Sequence, residues 1–277
     1  MWVGLEKPTT VEVETEASAS HRKVDMKLLD PTTVAILLPT YKEAENIESL
    51  IKKLQQLKLN LTIAVIDDSS PDGTANIIKK LQKEYNNILL LVRPSKLGLG
   101  TAITDGFRLL LSQKNKPKYI VTMDADYSHN PDDITKLLHA AKQGSDLIIG
   151  SRYCKGGKTV GWHKIRLVIS RLANILASAT IGIWIHDCTS GLRCYSKEYV
   201  KTVLSSLHSQ TYEIQIETVK QARLQGFEVK EIPIIFMNRK RGKSKLTRAE
   251  LKSFFLYIIK NLFSKATIKL GIGKKIE

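Results

Sequence analysis

Between residues 34 and 150 the chain repeats one unit: a short apolar run, a polar break, then a longer segment with apolar residues at helical spacing. The runs are residues 34–38, 61–66, 88–92, 119–123 and 146–150. They are too short for helices and lack the in-out alternation of a half-solvated strand, so they predict strands buried on both faces. The intervening segments, 45–57, 74–85, 99–111 and 131–142, predict helices; Ile47, Leu50, Ile51 and Leu54 recur three and four apart along one face. Such alternation predicts an α/β fold, with a mostly parallel central sheet and helices on both faces.

In a sheet of this kind ligands bind beyond the carboxyl ends of the strands. Every expected strand end is polar there: Pro39-Thr40-Tyr41, Asp67-Asp68, Arg93, Asp124-Ala125-Asp126 and Ser151-Arg152. Alternate carboxylates at a strand end converge as the chain leaves the sheet, so Asp124 and Asp126 suit a hard divalent cation bridging phosphate oxygens. The competing reading is an acidic helix cap ahead of Pro131; position at the end of a buried strand favours the cation. At the first two strand ends an aromatic ring and acidic acceptors would lie side by side, a surface for a base and ribose hydroxyls. Turn chemistry alone also accounts for Asp68-Ser69-Ser70-Pro71-Asp72-Gly73.

The net charge of +16 calls for an anionic partner: nucleic acid, a phosphorylated substrate or a membrane surface. Acidic strand ends would repel a nucleic-acid backbone without metal, and aromatics are only 6%, so a non-catalytic nucleic-acid-binding protein is the weaker class. Cys154, Cys188 and Cys194 are odd in number without CxxC spacing, which argues against disulfides or zinc and suits a reducing compartment. Neither a signal pattern nor an uncharged apolar run of about 18 residues occurs, so cytoplasmic placement without an ordinary membrane span is expected.

Residues 1–30 lack sustained apolar periodicity and read as a disordered extension, with 11–14 as a candidate strand. The main domain is read as 31–248. It includes glycines 156, 157 and 161, an amphipathic helix over about 163–185 carrying Arg171, a turn-like 186–193 and a strand over 228–237. The basic run 239–245 leads into 249–277, an amphipathic basic helix and tail with Leu251, Phe254, Phe255, Tyr257, Ile258 and Leu262 on its apolar side. These helices fit a core or an anionic membrane surface. Gly98-Leu99-Gly100 lacks the third glycine of a dinucleotide fingerprint. His129, His163 and His186 are too scattered for a metal site, and Asp187 could orient a substrate or cap a turn.

Eight runs in order over residues 33–260 resemble the family 2 glycosyltransferases and, within them, the dolichol-phosphate mannose synthases. They are Leu38-Pro39-Thr40-Tyr41-Lys42-Glu43, Ile66 to Thr74, Lys96 to Ala102, Met123 to His129, Gly150-Ser151-Arg152-Tyr153, Gly161-Trp162, Asp187 to Arg193 and Ser244-Lys245-Leu246. The resemblance implies a GT-A fold with C-terminal interface helices. It also implies inverting transfer of mannose from GDP-mannose to dolichyl or another polyprenyl phosphate, with Mg2+ or Mn2+. The same chemistry with UDP-glucose is the nearest rival. By position, Pro39, Tyr41, Glu43, Ile66 and Asp68 would cradle base and ribose, and Asp124, Ala125 and Asp126 the metal and sugar diphosphate. Ser128 stands where some relatives place a metal-contacting Gln. Arg152, Arg239 and Lys245 would contact phosphates, and Arg166, with Ser170 and Arg171, the lipid phosphate. Peripheral contact with the cytoplasmic face of an anionic membrane, and a membrane subunit, complete the expected partners.

Overall fold

The structure is a computed structural model that describes residues 24–25, 34–57, 59–239 and 256–259. In chain order its elements are β1 (Val24–Asp25), β2 (Val34–Thr40), α1 (Ile47–Gln55), β3 (Leu61–Asp67), α2 (Thr74–Glu84), β4 (Ile88–Val92), α3 (Leu99–Ser112), β5 (Tyr119–Thr122) and α4 (Asp133–Lys142). Then follow β6 (Leu147–Ser151), β7 (Lys158–Val160), α5 (Lys164–Ile181), β8 (Arg193–Ser196), α6 (Lys197–Val203), α7 (Ile214–Leu224), β9 (Val229–Pro233) and β10 (Ile235–Met237).

Eight strands form one sheet in the order β1-β4-β3-β2-β5-β8-β6-β9, and β10 pairs with β7 in a separate ribbon. The run β4-β3-β2-β5 is parallel throughout, as the apolar runs predict. β8 is antiparallel to both β5 and β6, and it lies between them. That insertion is absent from the sequence reading, because Arg193-Cys194-Tyr195-Ser196 is short and begins on a charge. Two further corrections concern ends. The strand expected over 228–237 is divided between β9 and β10, in different sheets, and within the expected extension Val24–Asp25 pair with Leu91 and Leu90 at the sheet edge. The candidate strand 11–14 lies outside the described residues, as does most of the final helix; residues 256–259 are helical, with Ile258 buried.

Both faces of the sheet are covered. Val34, Ile36 and Leu38 pack with α1, α2 and α4 residues such as Leu50, Ile78 and Leu137. The alternate side chains Ala35 and Leu37 pack with α3, α5, α6 and α7 through Phe107, Ala177, Val200 and Val219. This period-two division is why β2 had to be apolar at every position up to its end.

The helix α5 is inverted relative to a surface helix. Its small and polar residues Asn174, Ala177, Ser178 and Thr180 face the protein and are buried. Ile165, Val168, Ile169, Leu172, Ile175 and Leu176, spaced to share a face, are 43–76% exposed. Gly182, in the left-handed region, ends it. No described helix is long and apolar enough to cross a membrane.

Candidate active site

The carboxyl ends of β2, β3 and β5 open into a cleft of about 140 Å³. Its lining includes Pro39, Tyr41, Glu43, Asp68, Asp124, Ala125, Asp126 and Arg239 from the residues expected in the site. Three turns shape it. Among the described residues the non-glycine positions with positive φ are Lys42 (57°), Ser69 (51°) and Tyr127 (60°), each just past one of these strand ends. Such conformations are costly and persist where surrounding contacts over-determine them.

Those contacts are visible at each turn. Thr40 Oγ1 donates to Asp67 Oδ1 at 2.9 Å, and Asp67 Oδ2 accepts from the Ser70 N–H at 2.9 Å. Asp72 joins the two loops, accepting from the Ala44 N–H at 3.1 Å while its other oxygen caps α2 through Thr74. Asp68 is held from behind by Arg93, a wholly buried guanidinium whose Nε lies 2.5 Å from Asp68 Oδ1. Asp68 Oδ2 accepts from the Leu97 and Gly98 N–H groups, which fastens the loop after β4 to the end of β3. Tyr41 carries the Lys42 and Lys96 ammoniums 5.5 and 5.3 Å from its ring centroid, an aromatic shelf edged with positive charge.

Asp124 and Asp126 sit on the floor and differ in setting. Asp124 is 41% exposed. A Cβ at Gly191 would come within 2.9–3.0 Å of its carboxylate oxygens, so that glycine makes room for it. Asp126 is 7% exposed; its Oδ1 accepts from the Ser128 N–H at 2.9 Å and its Oδ2 lies 3.0 Å from Arg239 Nη2. His129 lies beneath, with Nδ1 3.8 Å from Asp124 Oδ2 and no hydrogen-bond partner. Burial pushes the His129 imidazole down to about 4, so it is neutral near pH 7. No cluster of three or more His, Cys, Asp or Glu side chains suited to a cation occurs among the described residues. Two carboxylates facing a cleft still fit a hard cation that takes its remaining ligands from phosphate and water, as Mg2+ and Mn2+ do in nucleotide sites.

Several expected residues are placed differently. Ile66 is fully buried in the core, and only its carbonyl reaches the site, 3.4 Å from Thr40 Oγ1. Ser128 is buried and outside the lining; it supports Asp126 through its backbone. Arg152 does not line the cleft. Its Nε and Nη2 bind the two oxygens of fully buried Asp187 at 2.7 and 2.6 Å, and Nη2 also meets Thr189 Oγ1. Its guanidinium carbon lies 5.2–5.4 Å from the ring centroids of Tyr153, Trp162 and Phe236. Lys245 lies outside the described residues.

Arg166, at the start of α5, stacks on Trp162 with its guanidinium carbon 3.9 Å from the ring centroid, and Nη1 lies 3.5 Å from Asn238 Oδ1. Partial burial lowers its pKa, and so do the nearby Arg239 and Arg152 cations. Arg166 therefore belongs to a cation cluster bordering Asp126. Ser170 Oγ accepts from the Tyr153 hydroxyl at 2.8 Å, and Arg171 approaches the same ring.

The cleft also has walls that sequence reasoning left without a role. Lys96, Gly98, Leu99 and Ala102 follow β4, and Tyr212 precedes α7. Glycine is required at Gly98, where φ is 101° and a Cβ would lie 2.5 Å from the Gln210 carbonyl oxygen. At Gly100 the N–H instead donates to that carbonyl at 2.9 Å. The polar break after β4 signalled the first group; nothing local marks Tyr212, which a distant loop brings in.

A family description of glycosyl transferase family 2 matches residues 35–204. A polyprenol monophosphomannose synthase from Mycolicibacterium smegmatis is 37% identical over 231 residues, covering 80% of this chain and 86% of that protein. An undecaprenyl-phosphate mannosyltransferase from Micrococcus luteus is 35% identical, covering 77% and 87%. Among solved structures, glucosyl-3-phosphoglycerate synthase from Mycobacterium tuberculosis, in complex with Mn2+, UDP and phosphoglyceric acid, superposes with a TM-score of 0.60 at 19% identity, covering 84% of this chain and 78% of that one. A mannosyltransferase from Pyrobaculum calidifontis in complex with GDP-mannose and Mn2+ gives 0.57 at 15%, covering 90% and 68%. The family description covers more than half of the chain and the first of these relatives is more than 30% identical over most of it, so this chain belongs to glycosyl transferase family 2.

Proposed function

We propose that this enzyme transfers mannose from GDP-mannose to a polyprenyl phosphate at the surface of an anionic membrane, giving polyprenyl-phosphate mannose. The observation that carries the reading is a juxtaposition. An acid-floored cleft opens beside a helix whose large apolar residues face outward, and Arg166 stands where the two meet. The names of the two curated relatives point to the same acceptor class.

The donor's base and ribose would occupy the Tyr41 and Asp68 side of the cleft, and its diphosphate the Asp124 and Asp126 side. A divalent cation held there by the two carboxylates would neutralise the diphosphate as it leaves. The acceptor phosphate is mostly dianionic near pH 7 and attacks the anomeric carbon with its own oxygen as the bond to the diphosphate breaks. No general base is needed, and the structure suits that: Asp187 is buried and held by Arg152 on both oxygens. Repulsion between two anions is the barrier, and Arg166 and Arg239 are placed to offset it.

Burying the exposed face of α5 in the acyl boundary would contribute on the order of 5 kcal/mol, since full burial of each such side chain is worth about 1.5–3. Lys164, Arg166 and Arg171 on the same helix add attraction to anionic lipid. A peripheral position on the cytoplasmic face, with or without a membrane subunit, follows from this reading.

A donor panel tests it. The full chain is given GDP-mannose, UDP-glucose or UDP-GlcNAc with a polyprenyl phosphate in vesicles, with and without EDTA, and sugar in the lipid phase is counted. EDTA-sensitive transfer from GDP-mannose is expected. Transfer from UDP-glucose alone would replace the donor, and transfer only to water-soluble acceptors would remove the lipid.

A further inference from the structure

Asp126 is engaged on both oxygens, so a cation binding there has to share the carboxylate with its present partners or displace one of them. One oxygen is committed to the Ser128 N–H at 2.9 Å and the other to Arg239 Nη2 at 3.0 Å. Asp124 is 41% exposed and lines the same cleft. A divalent ion shared by the two carboxylates would sit against the Arg239 guanidinium, and two cations at such separation repel strongly in a half-buried site.

We propose that Arg239 is a built-in competitor for the metal site, and that a bound diphosphate frees Asp126 by drawing Arg239 onto itself. The inference rests on reading the cleft as a diphosphate site. The exchange needs only the side chain to move. The Met237 N–H donates to the Ser128 carbonyl at 3.0 Å and the Asn238 N–H to the Val160 carbonyl at 2.9 Å, so the backbone is pinned up to the residue before Arg239. An anion has to supply the destination. Asp187 is taken by Arg152, and Arg166, held 3.5 Å from Asn238, makes that side of the site cationic. A diphosphate lying over Asp124 and Asp126 would meet a guanidinium already in the lining and offer it a bidentate partner. Metal and diphosphate then bind with positive coupling beyond the ligands they share, and the coupling is reciprocal. Without donor, Arg239 satisfies Asp126 and keeps the site from filling with metal alone.

The test measures Mn2+ binding by loss of the free-ion EPR signal, with the full chain and no lipid. Wild type, Arg239→Gln, Arg239→Ala and Arg166→Gln are each titrated alone, with GDP and with inorganic pyrophosphate. Removing Arg239 is expected to tighten Mn2+ binding in the absence of nucleotide by roughly tenfold, and to shrink the enhancement that GDP or pyrophosphate gives by a similar factor. Arg166→Gln, which removes a nearby cation not paired with Asp126, should change Mn2+ affinity alone by less than about threefold. Unchanged or weaker Mn2+ binding in both Arg239 variants overturns the proposal, as does an equal gain in Arg166→Gln, which would indicate diffuse charge. If neither GDP nor pyrophosphate affects Mn2+ binding while loss of Arg239 still tightens it, the competitor role stands and the diphosphate reading of the cleft fails.

Discussion

The two sides of the cleft are built on different principles. On the proposed donor side, residues 34–126, the polar groups at the ends of β2 and β3 are tied to one another or to their surroundings: Thr40 to Asp67, Asp72 to Ala44 and Thr74, Asp68 to Arg93. The apolar residues there are buried on both faces of a sheet. On the proposed acceptor side, residues 152–186, the buried face of α5 is small and polar, its exposed face is large and apolar, and cations stack on aromatic rings beside it. A rigid pocket suits a ligand that arrives from water with a fixed shape. An apolar, cationic border suits one that stays in a membrane and presents only a phosphate.

The largest expected effect falls on the floor the two sides share. Asp126→Ala should reduce transfer on the order of 10³-fold, because the leaving diphosphate loses its neutralising cation, with the thermal midpoint little changed. Initial rates and a melting curve check it; near wild-type transfer would remove the carboxylate from the mechanism.

The next effect is structural and sits on the acceptor side. Burial alone would raise the Asp187 carboxyl, but the Arg152 guanidinium and its hydrogen bonds outweigh that and hold it below the usual carboxylate range. Asp187→Ala would leave Arg152 buried without its partner, costing about 3–5 kcal/mol of stability in denaturant titrations. The sign of the pH dependence follows. A carboxyl whose folded pKa is depressed contributes stability that is present above its ordinary value near 4 and lost as pH falls through the folded value. The stability gap between wild type and Asp187→Asn should therefore narrow below about pH 4. A gap independent of pH would show that Asp187 is not ionised in the fold.

Third, Arg166→Ala should weaken the lipid acceptor about ten- to a hundredfold and leave GDP binding nearly intact. Donor titration without lipid and initial rates against lipid phosphate separate the two. A defect confined to the donor would erase the division between the sides. The smallest effect is expected from Ile165→Ser with Leu172→Ser on α5. Each side chain loses part of its membrane burial, so co-sedimentation with anionic vesicles should fall roughly tenfold while transfer to a short, soluble polyprenyl phosphate persists. Unchanged sedimentation would mean that something other than lipid meets this face.

The strand-end side of the cleft was legible in the amino-acid sequence because its information is local. A run of buried strand residues, a helical period and the polar residues at each strand end lie next to one another in the chain, so Tyr41, Asp68, Asp124 and Asp126 could be placed at one edge of the sheet. Tertiary structure decided the rest. Pairing of β8 between β5 and β6 brings Gly191 against Asp124 across 67 residues of chain, and the fold buries Arg152 against Asp187, a partner that local sequence does not reveal. Ile66 and Ser128 were expected to touch ligand and instead support those that line the cleft. The amphipathic period of α5 showed that the helix had two faces, but which face meets the protein depends on Asn174 and Ser178 finding partners in Thr189, Ile183 and Ile185. Periodicity records that a side chain has neighbours of one kind; only the fold determines who they are, because a polar group is buried wherever a distant partner satisfies it.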